Sequence, residues 1–402
     1  MGANDTSEWY QQALIDFLQE KGVLRDPRLE AAFGAVPRHL FLSHLTPQQV
    51  YRDMALPVKR DEQGTVISSS SQPTMMAQMI HQLQLEPGHN VLEIGTGTGY
   101  NAAIMQYLVG ESGFVTSIEL DQELVEQAGD NLHRAAIERV RVVQGDGVEG
   151  YAPRAAYDRI ISTVAIWDVP RIWIDQLKPD GRLVTPLWLD GIQVSAAFRL
   201  RSNGTLFSDD LTPCGFVWLR GEVGESQMRG RVKRVPGAPL VVTADDADRI
   251  DTVAIHVLLS DDHENCHLGL PLSGQEYWYG FQPYLMVSAP DEYVFASYSL
   301  LGDEYAAYGI TTNGFGLFSA TSTCLLPYDG EGNMHCFGGA DTCLILQDSA
   351  AAWNAAGRPG VQHLRLRMIP VEQGKPSEAE GKLYHRRDHF LHVWLEQPDE
   401  NA

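Results

Sequence analysis

The 402-residue chain has no apolar run long enough to cross a bilayer, which argues against a helical membrane protein. It is short of positive charge: 30 Lys and Arg stand against 52 Asp and Glu, a formal net charge of −22. Without clustered Lys and Arg there is no counterion release to drive binding, so neither nucleic acid nor a membrane surface is expected as a partner. Cysteine is scarce and odd in number, five in all. That reads as reduced thiols of a cytoplasmic protein rather than a disulfide framework. Cys266-His267, His335-Cys336 and Cys343 supply metal-ligand types, but no CxxC pair frames them, and the expectation is no metal. The opening residues MGANDTSEWY lack the basic and apolar regions of a secretory signal. No internal repeat is evident. What remains is an ordinary globular composition, long enough for two domains.

The stretch VLEIGTGTGYNAA, residues 91–103, carries the most information. Val91, Leu92 and Ile94 form a short apolar run, as in a strand buried on both faces of a parallel sheet. Gly95, Gly97 and Gly99 follow at alternate positions, and a helical pattern begins at Tyr100. Such a turn lets backbone approach a ligand and aims helix N–H groups at it. The turn supplies Glu93, Gly95, Thr96, Gly97 and Gly99 as candidate cofactor contacts. FVTSIELD, residues 114–121, reads as a second strand ending in Glu119, placed to hold ribose hydroxyls. VRVVQGDGVEG, residues 140–150, is a third strand running into Asp146, where a carboxylate accepts from an adenine amine. Tyr100 and Asn101 stand where a dinucleotide fingerprint wants its third glycine. The three stretches in order predict a domain dependent on S-adenosylmethionine (SAM), with S-adenosylhomocysteine as product.

Around this centre, strands alternate with helices through residue 200, which predicts an α/β fold. Its Rossmann-like methyltransferase sheet carries helices on both faces. A capped amphipathic helix is expected over 6–22 and another over 27–36, with a hairpin near Gly64. Pro73 opens a helix that carries Met76, Met79, Ile80 and Leu83 inward. Asn203-Gly204 marks a hairpin turn. Residues 221–239 are polar and read as a linker. VQHLRLRM, FLHVWLE and part of 276–300 then read as strands of a C-terminal strand-rich α+β domain. The boundary is drawn at 1–220 and 221–402.

AFGAVPRHLFL (32–42), TVISSSSQPTMMAQMI, VLEIGTGTGYNAA, VTSIELD, VVQGDGVEG and LKPDGRLVTPL together resemble the protein L-isoaspartyl (D-aspartyl) O-methyltransferase family. The resemblance implies that Ser71, the serine before the Gln72-Pro73 step, is the active-site hydroxyl, with Ser69 beside it. It implies cofactor contacts at Ser68, Ser70, Glu119, Leu120, Asp146 and Gly147, and substrate contacts at Ser70 and Gln72. One departure stands out: the family's Thr-Ile-Ser before that step is Ser69-Ser70-Ser71 here, so a polar residue replaces isoleucine.

A carboxylate acceptor suits the lack of a His/Asp base dyad, because a carboxyl with a pKa near ~4 is already an anion at neutral pH. The altered serine motif and the additional C-terminal half resemble the family's branch in ribosomal peptide modification. On that resemblance the expected function is esterification of an aspartate in a constrained precursor peptide, leading to an aspartimide. The aromatic stretch Tyr277, Trp278, Tyr279 and Phe281 would then help the accessory domain recognise the peptide. Two alternatives stand beside it: repair of isoaspartyl-containing proteins, and a catalytically silent SAM-binding scaffold.

Overall fold

Apolar runs flanked by turn formers become the strands of two separately cored units in a computed structural model of the chain. The structure describes residues 3–221, 230–260, 263–302, 310–329, 331–377 and 380–396, with side chains from residue 6 onward. One unit comprises residues 1–187 with 195–224, and the other 188–194 with 225–402.

The first unit opens with helices α1 (Ala3–Glu20) and α2 (Pro27–Ala35). The first begins before Thr6, so neither Thr6 nor Ser7 caps it. Asp26 caps the second by accepting from the Arg28 N–H, and Pro27 occupies its first turn. A short helix α3 (Pro47–Val50) leads to the antiparallel pair β1 (Leu56–Arg60) and β2 (Val66–Ser70). The serines therefore lie mostly on a strand. Helix α4 (Pro73–Leu83) follows, and Met76, Met79, Ile80 and Leu83 are all buried.

Strands β3 (Asn90–Ile94), β4 (Phe114–Glu119), β5 (Val140–Gln144) and β6 (Tyr157–Ser162) then alternate with α5 (Tyr100–Val109) and α6 (Gln122–Arg134). After α7 (Arg171–Gln176) come β7 (Leu177–Leu189), β8 (Ile192–Leu200) and β9 (Leu206–Cys214). The strand order is β9-β8-β7-β6-β3-β4-β5, with β3 pairing in parallel to β4 and β6. This is the expected doubly covered, largely parallel sheet. The carboxyl ends of β3, β4, β5 and β6 deliver Gly95, Glu119, Asp146 and Thr163 to one rim, where ligands of such sheets bind.

The second unit holds an antiparallel sheet in the order β10-β11-β13-β14-β15-β16-β12. These are Val232–Arg234, Leu240–Thr243, Val294–Leu300, Gly314–Phe318, Ser322–Pro327, Asn333–Gly338 and His263–His267 in that spatial order. Three further antiparallel strands are β17 (Leu364–Pro370), β18 (Lys382–His385) and β19 (His389–Leu395). Of the expected linker, residues 222–229 lie outside the described residues, and Val232–Arg234 is a strand.

The aromatic stretch departs from expectation. A Ser273–Glu276 capping box starts a helical segment that continues through a π-turn at Tyr277–Phe281 to Ser288, and a strand resumes only at Val294. Tyr277 and Phe281 are buried against Phe315, so they build a core rather than a peptide-binding surface, although Tyr279 is exposed. Cysteine also departs: Cys324 and Cys336 form a disulfide between neighbouring strands. Among the described residues, no helix is long and apolar enough to cross a membrane.

Candidate active site

The carboxyl rim of the parallel sheet opens into a cleft of about 770 Å³, part of it continuous with solvent. Its floor is the glycine turn. At Gly95 the backbone takes φ +93°, and an added Cβ would stand 2.7 Å from Thr163 Oγ1. That hydroxyl donates to the Gly95 carbonyl at 2.7 Å. Only glycine serves there without strain. Gly95→Ala is expected to weaken SAM binding about tenfold, from ~1–2 kcal/mol of backbone strain alone. Isothermal titration with SAM checks this, and unchanged affinity would show that the turn tolerates the strain.

Glu119 ends β4, and its carboxylate is pinned by the backbone. It accepts from Gly97 N–H at 3.1 Å, Leu120 N–H at 3.0 Å and Asp121 N–H at 3.3 Å. The Arg220 guanidinium lies 3.7 Å away. Thus the acid expected to hold ribose hydroxyls also joins the glycine turn to the second strand. Asp146 accepts from Val148 N–H at 2.9 Å and caps the short helix that begins at Gly147.

The serine strand forms the opposite wall. Ser68, Ser69, Ser70 and Ser71 all line the cleft, and an added Cβ at Gly97 would lie 3.5 Å from the Ser69 carbonyl oxygen. Ser68 and Ser70 are buried, while Ser69 and Ser71 are half-buried, as alternation along a strand requires. Beneath them runs Arg38, fully buried, from the VPR segment. Its Nη2 donates to the Ser71 carbonyl at 2.9 Å and to Ser70 Oγ at 3.2 Å. Burial pushes this guanidinium down to about 10, so it stays charged at neutral pH.

The expected site residues divide accordingly. Ser68 to Ser71, Gly95, Thr96, Gly97, Glu119, Leu120 and Gly147 are brought together around the cleft. Glu93, Gly99, Asp146 and Gln72 are not among its lining residues. Gly99 caps α5 and packs on Leu132 and Ala128. Gln72 donates its amide to Asp53 at 3.0 Å and so braces the start of α4. Glu93 is wholly buried beneath the turn, where it accepts from Asn101 Nδ2 at 2.7 Å and from Ser117 Oγ at 2.5 Å. It supports the cradle through its neighbours instead of touching a ligand. Trp218, Leu219, Arg220, Thr163 and Val164 also line the cleft, without any sequence signal. Arg38 belongs to a quoted motif, yet its role emerges only from the packing.

Desolvation drives the Glu93 carboxyl up to about 7, against hydrogen bonds that favour the anion. The folded chain therefore keeps a proton that the unfolded chain releases above the ordinary value of 4.5, and stability falls as pH rises from there through 7. Glu93→Gln mimics the protonated form and lacks this loss. Relative to the parent, it should gain up to about 3 kcal/mol between pH 5 and 8, an order-of-magnitude figure. Urea midpoints of both proteins at these two pH values check it. Parallel pH dependences would mean that Glu93 is ionised throughout.

The cradle fits a nucleoside cofactor on structural grounds: a turn that side chains would fill, an acid at the next strand tip, and apolar walls from Ile118, Leu120, Val164 and Leu219. A family model described as protein-L-isoaspartate(D-aspartate) O-methyltransferase (PCMT) matches residues 9–224, more than half of the chain. The protein-L-isoaspartate O-methyltransferase of Hyperthermus butylicus is 40% identical over 231 residues, covering 54% of this chain and 92% of that one. The protein of the same name from Methanopyrus kandleri is 38% identical, covering 53% and 92%. The one from Thermotoga maritima is 37% identical, covering 55% and 69%. A solved protein-L-isoaspartate O-methyltransferase superposes with a TM-score of 0.51 at 24% identity, covering 96% of this chain and 99% of that one. These findings overturn the expectation of a ribosomal-peptide, aspartimide-forming enzyme. The relatives carry the isoaspartate name, and the fold likeness extends through the C-terminal half.

Proposed function

Because the chain belongs to the protein-L-isoaspartate(D-aspartate) O-methyltransferase family, and is thereby a SAM-dependent carboxyl O-methyltransferase, we propose that it esterifies isoaspartyl residues of damaged proteins. The observation that carries this reading is the serine strand, which lies beside the glycine turn and whose Ser71 carbonyl accepts from the buried Arg38. Two walls meet there: one suited to a nucleoside, the other presenting hydroxyls to an anionic acceptor.

In this reading, Glu119 takes the ribose, and Asp146, just behind the lining residue Gly147, takes the adenine amine. The Gly95–Gly97 backbone admits the amino-acid end of SAM. The bound cofactor supplies an electrophilic methyl on sulfur and leaves as S-adenosylhomocysteine. An isoaspartyl carboxylate needs no base, so the protein's task is alignment and exclusion of water. Ser71 donates to one carboxylate oxygen and leaves the other to react. Ser69 and Ser70 shape the wall behind it, with Ser70 tied to Arg38. Residues 1–220 carry the transfer and 221–402 are accessory.

The test uses the full chain, SAM and two peptides that differ only in an isoaspartyl or an ordinary aspartyl linkage. Intact mass should show one methyl gained on the isoaspartyl peptide and none on the other. The ester should then lose methanol as the following amide closes the succinimide. Absence of transfer to the isoaspartyl peptide would refute the proposal.

A further inference from the structure

Four of the five cysteines meet at one place in the second unit. Cys324 of β15 stands opposite Cys336 of β16 and is bonded to it. On the other side of β16, Glu264 of β12 is the partner of Cys336. Residues two apart on a strand share a face, so Cys266 lies on the same face as Cys336, diagonally across from it. Cys343 reaches this face from the first turn of the helix Asp341–Ala355. The sulfur atoms of Cys266, Cys336 and Cys343 all lie within 4.8 Å of one another. The pleat also turns the neighbouring histidine away: His335 Nδ1 is 2.9 Å from His263 Nε2, on the opposite face. Histidine is thus kept off this face, which Glu264 shares, and three strands and a helix assemble the sulfurs from positions scattered between 266 and 343. No CxxC spacing announces it, because topology rather than local sequence makes it.

Three convergent sulfurs, with a fourth bonded to one of them, suit a borderline-soft divalent ion. Tetrahedral zinc with Zn–S bonds of ~2.3 Å sets its sulfurs about 3.8 Å apart, against separations of up to 4.8 Å among Cys266, Cys336 and Cys343, while the Cys324–Cys336 pair would open on reduction. We propose that these four cysteines form a zinc-class metal site and that the Cys324–Cys336 disulfide is its oxidised, metal-free form. A dithiol reductant supplies two electrons and two protons, the S–S bond breaks to two thiols, and the reductant leaves as its own disulfide. The ion then binds Cys266, Cys324, Cys336 and Cys343 as thiolates, displacing four protons. The resulting dianionic centre falls at a helix N-terminal turn, where the backbone dipole favours negative charge. Metal would clamp β12, β15, β16 and the helix together, and oxidation would release it.

The test titrates the full-length chain with cobalt(II), once reduced by a phosphine and once as the disulfide. Zinc content after gel filtration is measured in parallel. Reduced protein should show sulfur-to-cobalt charge-transfer bands with tetrahedral d–d absorption and keep about one ion per chain. The oxidised protein should keep none. Cys266→Ser and Cys343→Ser should lose stoichiometric retention, while Cys214→Ser, in the first unit, should keep it. Far-UV circular dichroism and limited proteolysis confirm that the second unit of each variant is folded. Should either serine variant fail to fold, thiol labelling of the reduced parent replaces it: zinc should protect four of the five thiols until a chelator is added. No retained ion in the reduced parent, full retention in both serine variants, or labelling of all five thiols despite zinc would each overturn the proposal.

Discussion

Ser71→Ala is expected to lower kcat for methyl transfer by about 10²–10³-fold, the usual cost of removing one positioned donor at a reacting oxygen, with SAM affinity within about twofold of the parent. The separation follows from how the residue is held. Its carbonyl is fixed by Arg38 at 2.9 Å whatever the side chain is, so the wall should keep its course when the hydroxyl is removed. Ser70→Ala differs, because its buried hydroxyl accepts from Arg38 at 3.2 Å, and its loss should be felt through the strand. Initial rates on an isoaspartyl peptide, together with a SAM titration, check the pair. A near-normal rate in Ser71→Ala would show that the acceptor hydroxyl belongs to another serine. A parallel loss of SAM affinity would make Ser71 a cofactor contact.

What could be read from the sequence was whatever local periodicity encodes. The apolar runs at 91–94, 114–119 and 140–144 with their intervening helices became the central sheet, and its strand ends carry the glycine turn, Glu119 and Asp146. Pro73 placed α4 correctly because a proline favours a helix's first turn. Failures occurred where tertiary partners decide. Glu93 looks like a ligand in a motif, yet its side chain points beneath the turn and is satisfied by Asn101 and Ser117. Trp218 to Arg220 line the cleft from a segment with no motif, since long-range chain return sets their position. The aromatic run was ambiguous: tyrosine, tryptophan and phenylalanine favour strands, but the Ser273–Glu276 capping box commits the chain to a helix. Cysteine count hinted at chemistry only weakly, because register between β12, β15 and β16 sets which sulfurs meet.

Arg38→Met is expected to uncouple stability from activity: a denaturation midpoint at or above that of the parent, with methyl transfer down about 10²-fold. Arg38 is fully buried, and its Nε and Nη1 have no hydrogen-bond partner among the described residues. Burying a cation with unsatisfied donors is costly, and even whole buried ion pairs have been exchanged for apolar residues of similar volume with neutral or stabilising effects of up to ~4 kcal/mol. Methionine keeps the length, fills the space beside Tyr100, and removes the unpartnered donors. It also removes the donor that holds the Ser71 carbonyl and Ser70 Oγ. Ser71 is half-buried, so water can meet its released carbonyl, and the penalty falls on geometry. A displacement of about 1 Å at an aligning residue costs ~10²-fold in rate. Urea denaturation and peptide kinetics on the same preparation decide the matter. An unstable variant would make Arg38 a structural support in the ordinary sense, and a stable, fully active one would release the serine strand from it. The expected split, stable but slow, would mean that the charge is kept under the serines at a cost in stability because catalysis depends on where it holds them.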